Sequence, residues 1–368
     1  MLIKSISKNY RIAIITDFLT QLGGAERVIL ALTKIFPDAP IYTLFYNQEK
    51  IGSFFTGQKI KPLFTNQLFC KFYKQLLVLY PFLFKQLKLK EYDIIISVTS
   101  ALAKGIKKEK GQIHICYCNT PTRFLWIDKY DYIATAVPMG LQWLMRIIVP
   151  WLQKVDFHSA QTVDYFIANS QEVAKRIKKY YHRESAIIYP PVDTEFFSLQ
   201  TKKQDYYLMS GRVAPYKRFD IAVKAFSNMP EKKLIIAGAG PELEKLKQIA
   251  GENIQFLGRV YDEKLKKLYQ NARAYIFTPL EDFGITPVEA MSCGTPVIAY
   301  GEGGALETVQ ANESGIFFTQ QTPESLAKAI SDFEQKKFNP KAVRDVALRF
   351  CQERFKIKIE EFVKKVNK

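Results

Sequence analysis

Short, wholly apolar runs recur along this chain, each followed by a stretch with helical spacing. That alternation limits the fold more than any other feature. RIAIITD (residues 11–17), residues 40–45, 93–98 and 112–117, and DYFIANS (164–170) carry little polar alternation. Strands of that kind belong to parallel sheets covered by helices on both faces. The rhythm predicts a doubly wound α/β architecture. A second series starts at YYLMSGRVAPYKRFDIAVKAF (206–226) and continues through KLIIAGAG (233–240), 255–260, 274–277, 296–300 and 315–318. Between the two series, Tyr189–Pro190–Pro191 leads into a polar, unpatterned stretch, so a linker is expected at 190–205. A chain of 368 residues is long enough for two domains. The expected division is 1–195 and 196–345, with a basic helical tail at 346–368 packing back on the first domain.

Composition removes several classes of function. Five cysteines at this length are no disulfide framework, and Cys116-x-Cys118 is too tightly spaced for a zinc pair. The three histidines, His114, His158 and His182, form no ligand cluster. A reducing, cytoplasmic setting is expected. No secretory signal is visible, and no run of eighteen apolar residues is present to cross a bilayer. The formal charge is +17, with 12 Lys against 3 acidic residues between Lys50 and Lys110. Within that segment KFYKQLLVLYPFLFKQLKLK (71–90) flanks an aromatic, apolar run with lysines, a composition suited to an anionic membrane surface. A core helix with snorkelling lysines explains it equally well. No nucleic-acid module is recognisable, and no nucleic-acid partner is expected.

Polar groups collect at the ends of the expected strands, where ligands bind in open parallel sheets. In the first series these are Asp17, then Gly23 and Gly24 opening a helix, and Asn119 in CNTPTRFLW. The dinucleotide fingerprint G-x-G-x-x-G is absent from the first loop. In the second series Gly211 opens a loop carrying Arg212 and Lys217, cations suited to phosphate oxygens. EDFGITPVEAMSCGTPVIAYGEGGALET (281–308) then places Glu281 and Glu289 around a loop and a helix start expected at Val288. Helix starts favour phosphates, and carboxylates accept hydrogen bonds from hydroxyls, so a nucleotide-sugar fits.

That block resembles the Glu-seven-Glu signature of retaining glycosyltransferases of family four, which have the GT-B fold. The resemblance extends through TDFLTQLGGAERV, YFIANSQEVAKRIKKYY, YPPVDTEFF and FLGRV, over nearly the full length. Its nearest likeness is to bacterial mannosyltransferase-like enzymes of O-antigen and capsule pathways. The resemblance implies two Rossmann-like domains facing across a cleft and transfer of a hexose with retention. It implies no cofactor and no metal, the nucleotide-sugar being a substrate. A GDP-sugar is the favoured donor and a UDP-sugar the second. The implied acceptor is a lipid-linked oligosaccharide at the inner face of the cytoplasmic membrane.

Under the same resemblance Arg212 and Lys217 neutralise the pyrophosphate. Glu289 holds the ribose, and Glu281 lies beside the transferred sugar. Asp282, Phe283, Gly284, Ile285 and Thr286 bind sugar and phosphate, and Arg259 and Val260 meet the base. Gly23 and Gly24 close on the phosphates, and Asp17 serves the acceptor side. At Asn119 the related group usually has His, so a titrating group is replaced by one that only donates or accepts hydrogen bonds. That departure keeps one rival open, a sugar-nucleotide-binding pseudoenzyme in an assembly complex; among enzymes the runner-up is a GT-B sugar-nucleotide epimerase.

Overall fold

The computed structural model describes residues 10–65, 75–127 and 142–367. The chain divides into two units, Met1–Pro190 with Phe355–Lys368, and Pro191–Arg354.

The first unit is built on a seven-stranded sheet. Its strands are β1 (Ile12–Thr16), β2 (Ile41–Phe45), β3 (Ile60–Phe64), β4 (Ile94–Thr99), β5 (Ile113–Cys118), β6 (Tyr165–Ala168) and β7 (Ser185–Ile187). The spatial order is β3-β2-β1-β4-β5-β6-β7, and every pairing is parallel. Successive strand residues point to opposite faces. Ile12 and Ile14 of β1 therefore enter one core, with Val28, Leu32 and Ile96. Ala13 and Ile15 enter the other, with Tyr80, Ile95 and Leu152. Both faces being covered explains why the central strands are apolar without alternation.

Helix α1 (Gly24–Ile35) covers the first face, and α2 (Tyr80–Phe84) and α3 (Gln142–Gln161) the second. Helix α4 (Gln171–Tyr181) starts at Ser170, whose hydroxyl accepts the Val173 N–H at 3.1 Å. Phe355, Ile359 and Val363 of the last helix, Gln352–Val366, are buried in the first core beside Ile14 and Ile115.

The second unit is a six-stranded parallel sheet ordered β10-β9-β8-β11-β12-β13. Its strands are β8 (Tyr207–Ser210), β9 (Leu234–Ala237), β10 (Ile254–Gly258), β11 (Ala274–Phe277), β12 (Val297–Tyr300) and β13 (Gly315–Phe318). Helices α5 (Phe219–Ser227), α6 (Asp262–Asn271) and α7 (Ile285–Ser292) connect them, and Thr322 caps α8 (Pro323–Glu334) with Pro323 in its first turn.

Strand order reverses between β1 and β4 in one unit and between β8 and β11 in the other, the positions where doubly wound sheets open a crevice. Two details differ from the sequence reading. β3 and β7 are additional edge strands; Pro62 sits in β3, where no ladder bond is demanded of it on the outer side. Helix α7 begins at Ile285 rather than Val288, because Pro287 falls within the first turn, where a missing N–H costs nothing.

Candidate active site

In the second unit, the loops leaving β8 and β11 meet at the strand-order reversal. The β8 loop runs from Gly211 to a single 3-10 turn at Pro215–Lys217, and Thr278, just after β11, donates its hydroxyl to the Lys217 carbonyl at 2.8 Å. The Lys217 ammonium pairs with the Glu281 carboxylate, each side chain about one-fifth exposed. Burial alone lowers the Lys217 pKa, but the Glu281 charge and hydrogen bond outweigh it and hold the ammonium above its ordinary value. Arg212 is exposed and pairs with no carboxylate among the described residues.

Two close approaches shape this crevice. A Cβ on Gly238, in the loop after β9, would stand 1.9 Å from the Gly211 carbonyl oxygen, so only glycine lets the two loops lie together. A Cβ on Gly304 would stand 2.4 Å from the Phe283 backbone, where the Gly304 N–H donates to the Glu281 carbonyl at 2.8 Å. The Gly301–Gly304 loop thus clamps the segment that carries Glu281, Asp282 and Phe283.

Gly284 is the N-cap of α7. The N–H groups of Ile285 and Thr286 are first-turn donors without an intrahelical acceptor, a positive end for an anion. Glu289 lies one turn on, buried to 3% exposure, and accepts the Tyr269 hydroxyl at 3.2 Å. Arg259 is exposed and Val260 half-buried, directly after Gly258 at the end of β10. The structure therefore places Gly211, Arg212, Lys217, Glu281–Thr286 and Glu289 on adjoining loops of one unit. Arg259 and Val260 lie two strands away from β8 at the same sheet end.

In the first unit the strand-order reversal is closed by Asp17. Its carboxylate accepts the Thr99 hydroxyl at 2.9 Å and the N–H groups of Ser100, Ala101, Leu102 and Ala103 at 2.8, 2.9, 2.8 and 2.7 Å. Five donors on one buried carboxylate make Asp17 the staple of the 99–103 loop.

Gly23 is the N-cap of α1, its N–H held at 2.9 Å by the Glu26 carboxylate, and Gly24 is the first helical residue. Burial, together with the charge of Asp17, pushes Glu26 up to about 7 against the pull of its backbone donors. Asn119 follows β5. Its N–H donates to Thr99 O and its carbonyl accepts from Asn169 Nδ2, both at 2.9 Å. Asn119 Nδ2 and Thr120 Oγ1 are buried polar atoms without a hydrogen-bond partner among the described residues.

Comparison with known proteins decides the family. Residues 22–196 match the model described as Glycosyltransferase Family 4, and residues 191–347 match Glycosyl transferases group 1. The chain belongs to the family-four type of GT-B glycosyltransferases. Among its relatives, an uncharacterized glycosyltransferase of Methanocaldococcus jannaschii is 33% identical over 129 residues, 33% of each chain. An alpha-1,3/1,6-mannosyltransferase of Rhizomucor pusillus is 27% identical over 250 residues, 53% of this chain and 55% of the relative. The chain thus spans one-third and about half of the lengths of these two relatives. The structure of Anabaena HepE in complex with UDP superposes with a TM-score of 0.71 at 19% identity, covering 96% of this chain and 100% of that one, a likeness of fold.

Two groups of residues in this GT-B chain were not singled out in the sequence. Tyr269, fully buried on α6, joins Glu289 to Ser210, whose Oγ lies 2.7 Å from the Tyr269 hydroxyl and 3.2 Å from that of Tyr275. Burial and the Glu289 charge push the Tyr269 phenol well up, so it stays a donor. The second group surrounds Asp156 of α3. Lys104 Nζ lies 2.5 Å from Asp156 Oδ1, while Trp126 Nε1 and the Tyr181 hydroxyl each donate to Oδ2 at 2.7 Å. Lys104 also donates to the Ala101 carbonyl at 2.8 Å, so this network continues the loop stapled by Asp17. Among the described residues no cluster of three or more His, Cys, Asp or Glu forms a cation site, and no helix is long and apolar enough to cross a membrane.

Proposed function

We propose that this protein is a retaining hexosyltransferase that moves a hexose, mannose by preference, from a nucleoside-diphosphate sugar to a lipid-linked glycan during bacterial surface-polysaccharide synthesis. The observation that carries it is the meeting of Lys217 and Glu281 at the strand-order reversal, with Glu289 buried one helix turn behind. Arg212, Lys217 and the first-turn N–H groups of α7 supply positive potential for a pyrophosphate without a divalent cation. Glu289, oriented by Tyr269, accepts from the ribose hydroxyls, and Glu281 accepts from the hexose beside its anomeric carbon. Donor binding then exchanges the Lys217–Glu281 pair for two pairings with substrate.

In the reaction the anomeric carbon–oxygen bond to the β-phosphate breaks. The acceptor oxygen bonds to the same face of the sugar, and its proton passes to the departing phosphate oxygen. Asn119 Nδ2 and Thr120 Oγ1 are the first unit's spare polar groups for a sugar hydroxyl. With Asn in place of a titrating His, activity rests on hydrogen bonding there, so Asn119→His lowers turnover with the native donor. A rise would assign that position to charge stabilisation instead.

GDP is the first nucleotide to test, because of the likeness to mannosyltransferases. UDP is the second, being the nucleotide bound by Anabaena HepE. The experiment is thermal stabilisation by GDP, UDP, ADP and their sugar conjugates. One nucleotide is expected to raise the melting temperature, and Glu289→Ala to abolish the shift. No shift with any nucleotide overturns the donor assignment. Release of the free nucleoside diphosphate without an acceptor would point to the epimerase reading.

A further inference from the structure

Helix α3 is apolar on two faces. Met145, Ile148, Val149 and Leu152 pack into the core beneath the sheet. On the outward side Trp143, Ile147 and Trp151 recur at four-residue intervals, which stacks them on one face. Trp143 is 61% exposed and Ile147 65%, and Leu144 is exposed beside them. Phe82 of α2 stacks on Trp151 with ring centroids 6.0 Å apart, and Leu79 is also exposed at the start of that helix. A surface helix ordinarily turns polar residues outward, and a contiguous aromatic patch of this kind marks an interaction.

The surrounding charges choose the partner. Residues 75–90 and 142–155 contribute five cations, Lys85, Lys88, Lys90, Arg146 and Lys154, and no acidic residue. All five are exposed. A second copy of the chain docking through this face about a two-fold axis would set these like charges against each other, Lys90 alone of the five facing a carboxylate, Glu109 at 3.8 Å, among the described residues. An anionic bilayer complements both features. Tryptophan rings sit at the headgroup boundary, apolar side chains enter below it, and lysines meet the phosphates.

We infer that the outward face of α3, together with Phe82 and the flanking cations, is a docking surface for an anionic membrane. It would bring the enzyme to a lipid-linked acceptor, and only that consequence rests on the proposed function. The lysine-rich stretch expected to carry this role, 71–90, lies partly outside the described residues. Its described part supplies Phe82, Lys85, Lys88 and Lys90 to this face, and α3 adds Trp143, Ile147 and Trp151.

Co-sedimentation of the full chain with phosphatidylglycerol–phosphatidylcholine vesicles, against phosphatidylcholine alone, tests this. Binding is expected to the anionic vesicles and to fall as salt is raised. Trp143→Ser with Ile147→Ser should lower partitioning about tenfold or more. Lys85→Gln, Lys88→Gln and Lys154→Gln together should lower it about fivefold per charge removed. All these positions are exposed, so melting temperature and its shift with nucleotide should match the parent protein, which separates a failure here from a failure of the donor site. Wild-type sedimentation of the Trp143→Ser/Ile147→Ser protein overturns the inference. So does concentration-dependent dimerisation of the parent, lost in that variant, which would give the face to a second copy.

Discussion

Lys104→Met offers a quantitative test of the first unit. Lys104 and Asp156 are both fully buried and their charged atoms are 2.5 Å apart. The ammonium also lies 5.1 Å from the centre of the Tyr181 ring. Removing one partner of a buried pair costs about 3–5 kcal/mol, chiefly because the other charge is stranded. Trp126 and Tyr181 still donate to Asp156 in this variant, so the cost should fall near the lower figure, about 3 kcal/mol. At about 2–4 °C per kcal/mol for a unit of this size, the melting temperature falls by roughly 6–12 °C. Asp156→Leu strands the ammonium instead and frees two donors, a larger loss of about 4–5 kcal/mol.

The diagnostic is the double variant, Lys104→Met with Asp156→Leu, where no charge is left buried. Its loss should be smaller than the sum of the two single losses by about 2 kcal/mol or more. Urea unfolding followed by tryptophan fluorescence reads all three, since Trp126 is part of the network. A Lys104→Met loss below about 1 kcal/mol, or strict additivity in the double variant, would refute the account.

Tyr269→Phe should raise the Michaelis constant for the donor roughly tenfold with a much smaller change in kcat, because Glu289 loses its orienting donor; equal loss in both would place Tyr269 in the chemical step. Lys217→Ala should weaken nucleoside diphosphate binding by roughly 10–100-fold while leaving the nucleoside unaffected, read by titration calorimetry. Glu26 holds its proton more tightly folded, at about 7, than unfolded, at 4.5, so folding is favoured at low pH and that contribution is lost as pH rises from 4.5 through 7. The stability lost across that window is about 3 kcal/mol, and Glu26→Gln should flatten the profile in urea melts at pH 5, 6, 7 and 8; parallel profiles would remove Glu26 from the titration.

The central strands were legible because burial on both faces removes polar alternation: β1, β4 and β9 read IAIIT, IIISVT and LIIA. The edges were not, since IKPLF of β3 is half-wet and holds a proline, and β7 is three residues long. The crevice of the second unit was legible for a local reason. Glu281, Gly284 and Glu289 lie within one loop and helix, and Gly304 follows the next strand. Tyr269 and Lys104 were not, because nothing local shows which buried hydroxyl or ammonium meets which carboxylate. Asp17 illustrates the same limit. Its position at a strand end was visible, but its five donors come from residues 82 to 86 positions later in the chain, which no local pattern shows.

The first unit is completed by the last helix, and this has a consequence during synthesis. Phe355, Ile359 and Val363 fill the core beside β1, β4 and β5, but they emerge from the ribosome more than a hundred residues after Pro190. At about 5–20 residues per second, the sheet made first waits roughly 10–30 s with that side of its core open. The second unit is continuous in sequence from Pro191 to Arg354 and can close as soon as it is made. The nascent chain therefore finishes its later half before its earlier one, and a truncation before Phe355 should leave an aggregation-prone first unit beside a folded second one.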